Sequence, residues 1–250
     1  MADKKSASST LVMDCSAESL NSQQQAAEWQ GLIAKVRACT LCADVLTHGV
    51  RPVLQCHPMA RILIAGQAPG RKVHESGVPF DDASGERLRA WLGVSKETFY
   101  DEQQFAILPM GFCYPGKGPS GDLAPLAICA KTWRQALMAA LPNIKLILVI
   151  GQYAMAYHLP DQLLQSQPPL TASQTASPTV SPAKRSLTET VYTWYQNADE
   201  SPSKDNSCWT LPLPHPSPRN NIWLKRNPWF EVQCIPKVQA KVAQVLLKRD

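Results

Sequence analysis

Two short segments combine residue types that bind and polarise a ligand. Gly66-Gln67-Ala68-Pro69-Gly70 closes an apolar run, and Gly77-Val78-Pro79-Phe80 begins seven residues after its last glycine. Glycines at a strand end let backbone N–H groups come close to a ligand. Gln67 adds an amide that donates and accepts, and Phe80 adds a flat apolar face. Taken alone, this is also the composition of an ordinary turn. The second segment is His215-Pro216-Ser217-Pro218-Arg219-Asn220, where two prolines stiffen the chain around a histidine and an arginine. A histidine so placed is either a structural residue or a donor to a ligand. Cys39 and Cys42 form C-x-x-C, Cys113 follows 71 residues later and Cys129 16 after that. Four thiolates so spaced suit an iron–sulfur cluster or tetrahedral zinc, or they are buried free thiols. Cys15, Cys56, Cys208 and Cys234 show no such spacing.

The elements that must position these groups follow from periodicity. Apolar runs at 61–66, 105–110, 145–151 and 209–213 predict strands. Helical spacing at Trp29, Ile33 and Val36 predicts a helix over 26–39. Ser84 is a candidate cap for a helix through Leu92, with Leu88, Trp91 and Leu92 inward. Further helices are expected at 130–141, 153–158, 187–195 and 236–248. Apolar strands alternating with helices indicate an α/β fold with a parallel sheet covered on both faces. Both ligand segments then lie at strand carboxyl ends, where such folds bind ligands. Residues 1–25 read as a disordered polar tail, and 26–250 as a single domain. Residues 165–186, of which 18 of 22 are Ser, Thr, Pro, Gln or Ala, read as an exposed low-complexity insertion, and 197–207 as a polar loop.

Across 250 residues, 25 Lys and Arg oppose 20 Asp and Glu. Residues 1–214 hold 18 of each sign, so the whole net charge of +5 falls in the last 36 residues. Basic side chains there alternate with Trp223, Trp229 and Phe230, a mixture that suits a phosphate backbone or a solvated helix equally. The sequence has no apolar run of about 18 residues, so no membrane span is expected. The amino-terminal lysines lack an apolar stretch behind them, so no secretory leader is expected. Eight cysteines without export point to reduced thiols or metal ligands in a cytoplasmic protein.

From about Val36 to Phe230, interrupted by the low-complexity stretch, the sequence resembles the uracil-DNA glycosylase superfamily. GQAPG followed by GVPF is similar to the first motif and pocket phenylalanine of the iron–sulfur uracil-DNA glycosylases, which read GEAPG and then G-x-P-F. HPSPRN resembles the last motif of the single-strand-selective monofunctional type, whose histidine contacts uracil and whose arginine wedges the duplex. LILVIGQYA is similar to the stretch before that motif, and the four-cysteine spacing is similar to that of the cluster ligands.

The resemblance implies a three-layer α/β/α fold with a short, mostly parallel four-stranded sheet. It implies a DNA base-excision glycosylase that flips uracil or another deaminated base and hydrolyses its glycosidic bond. The alternative is a catalytically weak or inactive member that binds damaged or single-stranded nucleic acid. The enzyme would be monofunctional, since no lysine stands in a recognisable pocket position, and would act on DNA as a monomer with no membrane partner. Cys39, Cys42, Cys113 and Cys129 would hold a four-iron, four-sulfur cluster, with zinc as the alternative. His215 and the backbone N–H groups of Gln67 and Ala68 would stabilise the departing base. Phe80 would stack on that base, and Ser217, Arg219 and Asn220 would complete the binding surface.

Four positions depart from the family pattern. Gln67 replaces a glutamate, Val73-His74 replace a Glu-Asp pair, Pro109 replaces the asparagine that reads uracil, and Ala68 stands where common bacterial members have aspartate. Glu75, Asp81, Asp82 and Asp122 lie in the same loops; His74 and Asp81 are the candidate stand-ins for the usual carboxylate, while Asp82 and Glu86 read as helix-capping charges.

Overall fold

The computed structural model describes residues 15–119, 121–159, 185–197 and 208–247, with side chains from residue 23 onward. The strands are β1 (Ile62–Ala65), β2 (Phe105–Ile107), a two-stranded hairpin of β3 (Lys117–Gly118) and β4 (Gly121–Asp122), β5 (Leu146–Ile150) and β6 (Trp209–Leu213). The main sheet has the order β2-β1-β5-β6, and every pairing in it is parallel. All residues of β1, β2 and β5 are buried, which is why these strands carry unbroken apolar runs rather than alternation.

Helices pack around this sheet: α1 (Cys15–Arg37), α2 (Arg71–Ser76), α3 (Ala83–Leu92), α4 (Lys96–Phe99), α5 (Ala127–Ala139), α6 (Gln152–His158), α7 (Leu187–Asn197), α8 (Asn221–Arg226) and α9 (Ile235–Leu247). Val36 on α1, Leu88 on α3, Leu137 on α5 and Val238 and Val242 on α9 enter one core with the strands. The last helix is tied to α3, where the Gln239 side-chain amide donates to the Ala90 carbonyl at 3.1 Å.

The fold matches the α/β expectation, with a sheet that is wholly parallel. Several boundaries differ. The first helix starts at Cys15, inside the stretch expected to be a disordered tail; residues 1–14 lie outside the described ones. Strand β2 ends at Ile107 rather than Met110, because Pro109 has no N–H for the ladder. The chain still runs beside β1, with the Met110 N–H on the Gly66 carbonyl and the Gly111 N–H on the Gln67 carbonyl, both at 2.9 Å. Asp82, not Ser84, caps α3 by accepting the Gly85 N–H at 3.0 Å. The helix α2 had no signal, since its only buried residue is Val73. Most of the low-complexity insertion, and the loop after Asn197, fall outside the described residues.

Candidate active site

At the carboxyl ends of the parallel strands lies a cleft of about 510 Å³. Gln67, Ala68 and Gly70 line it after β1, Pro109 after β2, and His215, Ser217, Arg219 and Asn220 after β6. Its position is fixed by topology. Strand β1 leads to β2 on one side and is flanked by β5 on the other, and the crevice at such a reversal is where parallel sheets bind ligands. Gly151, at the end of β5, has φ of 82° and leaves room for Gln67, whose amide nitrogen would stand 2.7 Å from any Cβ there.

The loop after β6 is built around its histidine. The Ser217 N–H donates to His215 Nδ1 at 3.2 Å, so the neutral ring carries its proton on Nε2. Burial holds the His215 pKa below the ordinary histidine value; Asp82 and Asp122 pull it upward and Arg219 lowers it. The site therefore presents a neutral N–H donor at neutral pH. Asn220 braces the loop by donating to the His215 carbonyl at 2.7 Å, and Ser217 Oγ accepts the Arg219 N–H at 3.2 Å. Arg87, reaching across from α3, donates to the carbonyls of Pro216 and Ser217 at 3.2 and 3.1 Å and to Asn221 Oδ1 at 2.8 Å. Across the cleft, no protein group among the described residues receives the N–H of Gln67 or Ala68, which leaves both for a ligand.

Phe80 is held in a strained backbone, with φ of 55°, the only positive value outside glycine among the described residues. Its ring meets Phe99 edge-on at 6.1 Å and reaches toward Gly66. A Cβ on Gly85 would overlap the Phe80 carbonyl, so only glycine lets α3 start this close to the Phe80 turn.

The family model described as the Uracil DNA glycosylase superfamily matches residues 54–239, well over half of the chain. The chain belongs to that superfamily. The matched span takes in β1, β5, β6 and both loops that face each other across the cleft. In this superfamily member, seven of the residues singled out in the sequence come together: Gln67, Ala68, Phe80, His215, Ser217, Arg219 and Asn220 all line the cleft.

His74 and Asp81 are not brought into it. The turn of α2 carries His74 away from Lys72 and Val73, which do line the cleft; His74 Nε2 donates to the His48 carbonyl at 3.1 Å and its ring packs 6.1 Å from Tyr114. The left-handed backbone at Phe80 leaves Asp81 exposed and turns Asp82 inward. The carboxylates that line the cleft are Asp82 and Asp122. Asp82 thus caps α3 and faces the site at once. Asp122 belongs to a hairpin whose two-residue strands are too short for any periodicity to reveal. Lys72 also stands on the cleft wall, exposed. Arg87 carried no sequence signal, because its partners lie about 130 positions away.

A second, smaller cavity of about 30 Å³ is lined by Cys39, Cys42, Cys113 and Cys129 among apolar neighbours including Leu46, Phe112 and Trp133. All four thiols are free. Burial pushes the Cys42 and Cys113 thiols up and takes Cys129 to about 11, with neighbouring cysteines adding to each rise. Two sulfurs accept N–H groups at 3.3 Å, Cys129 from the Phe112 backbone and Cys39 from the Trp133 indole. Helix α5 also carries Arg134, 1% exposed, whose Nη1 holds the carbonyls of Leu108 and Pro109 at 3.0 and 3.2 Å. Its other nitrogens bond His158 Nε2. Burial and the arginine charge lower the His158 pKa to about 3.

Proposed function

We propose that the protein removes uracil or another deaminated base from DNA by hydrolysing its N-glycosidic bond, after turning the base out of the helix into the cleft. The observation that carries this reading is the neutral His215, its Nδ1 taken by the Ser217 N–H, lining one cleft of about 510 Å³ with the GQAPG turn. Breaking the bond leaves negative charge on the base oxygen and positive charge on the sugar. Donors already aimed at that oxygen, His215 Nε2–H and the Gln67 and Ala68 N–H groups, are most effective as this charge develops. A neutral donor avoids the cost of burying an imidazolium charge in the cleft. Phe80 supplies the stacking face, worth roughly 1–3 kcal/mol per base. Arg219 lines the cleft beside the β3–β4 hairpin, 2.5 Å from where a Cβ on Gly121 would stand, and would fill the gap left by the base. Lys225 and Arg226, exposed on the last turn of α8, follow this loop directly and suit the phosphate backbone.

The four cysteines are read as ligands of an iron–sulfur cluster. The apolar lining and the two N–H donors to sulfur suit metal-bound thiolates, and the cysteine spacing resembles that of cluster ligands. Zinc would take the same four thiolates and is the alternative. Such a cluster would supply folding energy to this part of the chain when bound.

The test is release of free base from uracil-, hypoxanthine- and xanthine-containing oligonucleotides. Release of at least one of them is expected. Binding without any release would instead make the protein a nucleic-acid-binding member of its superfamily. Borohydride trapping in the same reactions should yield no protein–DNA adduct; an adduct lost in Lys72→Ala would make the enzyme bifunctional.

A further inference from the structure

Resting on the glycosylase reading above, we propose that Asp122 is the catalytic carboxylate, the group that takes the proton of the attacking water. It reaches the cleft from the β3–β4 hairpin, an element outside both ligand-binding loops. Its two oxygens have different surroundings. Oδ1 accepts the Tyr114 hydroxyl at a long 3.4 Å; Tyr114 is 2% exposed, while Asp122 itself is exposed. Oδ2 faces the first ligand loop, 4.0 Å from where a Cβ on Gly70 would stand. His215 feels the Asp122 charge from the opposite wall.

The other carboxylate in the cleft is less free. Asp82 Oδ1 is committed to the Gly85 N–H at 3.0 Å, where it offsets the exposed donors of the α3 amino terminus. Moving it toward a water would uncap that helix. Asp122 has no comparable duty, since the hairpin is closed by backbone pairing of Lys117 with Asp122 and Gly118 with Gly121.

The step balances with water as the only co-reactant. The bond between the sugar C1′ and the base nitrogen breaks, and its electron pair leaves with the base, whose oxygen is held by His215 Nε2–H and the loop N–H groups. The sugar carries the positive charge, stabilised by the Asp122 carboxylate. Water adds to C1′ and gives one proton to Asp122. That proton passes to solvent as the base anion takes one up, leaving free base and an abasic sugar.

The decisive measurement is single-turnover release from whichever oligonucleotide the parent cleaves fastest, beside affinity for the same sequence carrying a non-cleavable 2′-fluoro nucleotide. Asp122→Asn keeps the shape and removes the charge. It should slow release by about 10²-fold or more while affinity stays within a few-fold or tightens, because a negative charge has left a DNA-binding surface. Asp122→Glu should recover a large part of the rate. An unchanged rate in Asp122→Asn overturns the assignment. So does an affinity loss that matches the rate loss, which would make Asp122 a binding residue only. A loss confined to Asp82→Asn would move the role to the helix cap. If the parent itself releases no base, the glycosylase reading fails first, and that is visible before any variant is made.

Discussion

At the scale of single residues, what a buried histidine is bonded to sets what it can still offer. His215 and His158 are both kept neutral by burial, but His158 spends its acceptor on Arg134 while His215 keeps a donor facing the cleft. His215→Ala should therefore cut single-turnover base release by about 10²–10³ and leave DNA affinity within a few-fold, whereas His74→Ala, outside the cleft, should leave the rate near parental. His158 shows in stability instead. Its pKa falls from 6.5 to about 3, so below about pH 6.5 the unfolded chain gains a proton that the folded chain refuses. Stability should drop as pH falls through that window, by up to about 1.4 kcal/mol per pH unit, and level off near pH 3. Urea midpoints at pH 7, 5 and 4 should show this slope in the parent and a shallower one in His158→Gln, which keeps an acceptor but cannot titrate. Phe80 offers a third test. Its φ of 55° costs any residue with a Cβ about 1–2 kcal/mol. Phe80→Gly should thus be more stable than Phe80→Ala by about 1 kcal/mol, the reverse of the usual order, and both should lose base capture.

At the scale of elements, what the sequence made legible was what burial repeats. The fully covered strands and the inner faces of α3 and α9 declare themselves through apolar spacing, and both ligand loops were found because Gly and Pro mark strand ends. The short polar elements were not legible. Helix α2 and the β3–β4 hairpin have almost no buried face, so nothing periodic announces them, and they decide that His74 leaves the cleft and Asp122 enters it. The inward turn of Asp82 depends on one unusual backbone angle at Phe80, which no composition rule foresees. The cysteines stand between these cases: spacing suggested one set, and the fold brings all four to one cavity. If they hold iron, Cys129→Ser should lower iron content, weaken absorbance at roughly 400 nm and reduce the unfolding midpoint, since metal binding and folding are coupled. Metal analysis that finds one zinc per chain and no iron would replace the cluster with a zinc ion. An unchanged midpoint would remove Cys129 from the ligand set.

At the scale of the whole molecule, the charge excess lies in the chain after β6, and Lys225, Arg226, Lys237 and Lys241 stand on α8 and α9. Lys225 and Arg226 both to Ala should weaken binding to all sequences alike and flatten the dependence of affinity on salt by about two phosphate contacts; a slope equal to the parent's would place the DNA surface elsewhere. The two cavities meet in residues 108–113. Pro109 borders the cleft, Gly111, Phe112 and Cys113 border the cysteine cavity, and Arg134 grips Leu108 and Pro109 from the helix that also carries Cys129. One six-residue crossbar therefore serves as wall to both rooms. Whatever loosens the packing around the cysteines would therefore be felt in the cleft as a shifted wall at Pro109.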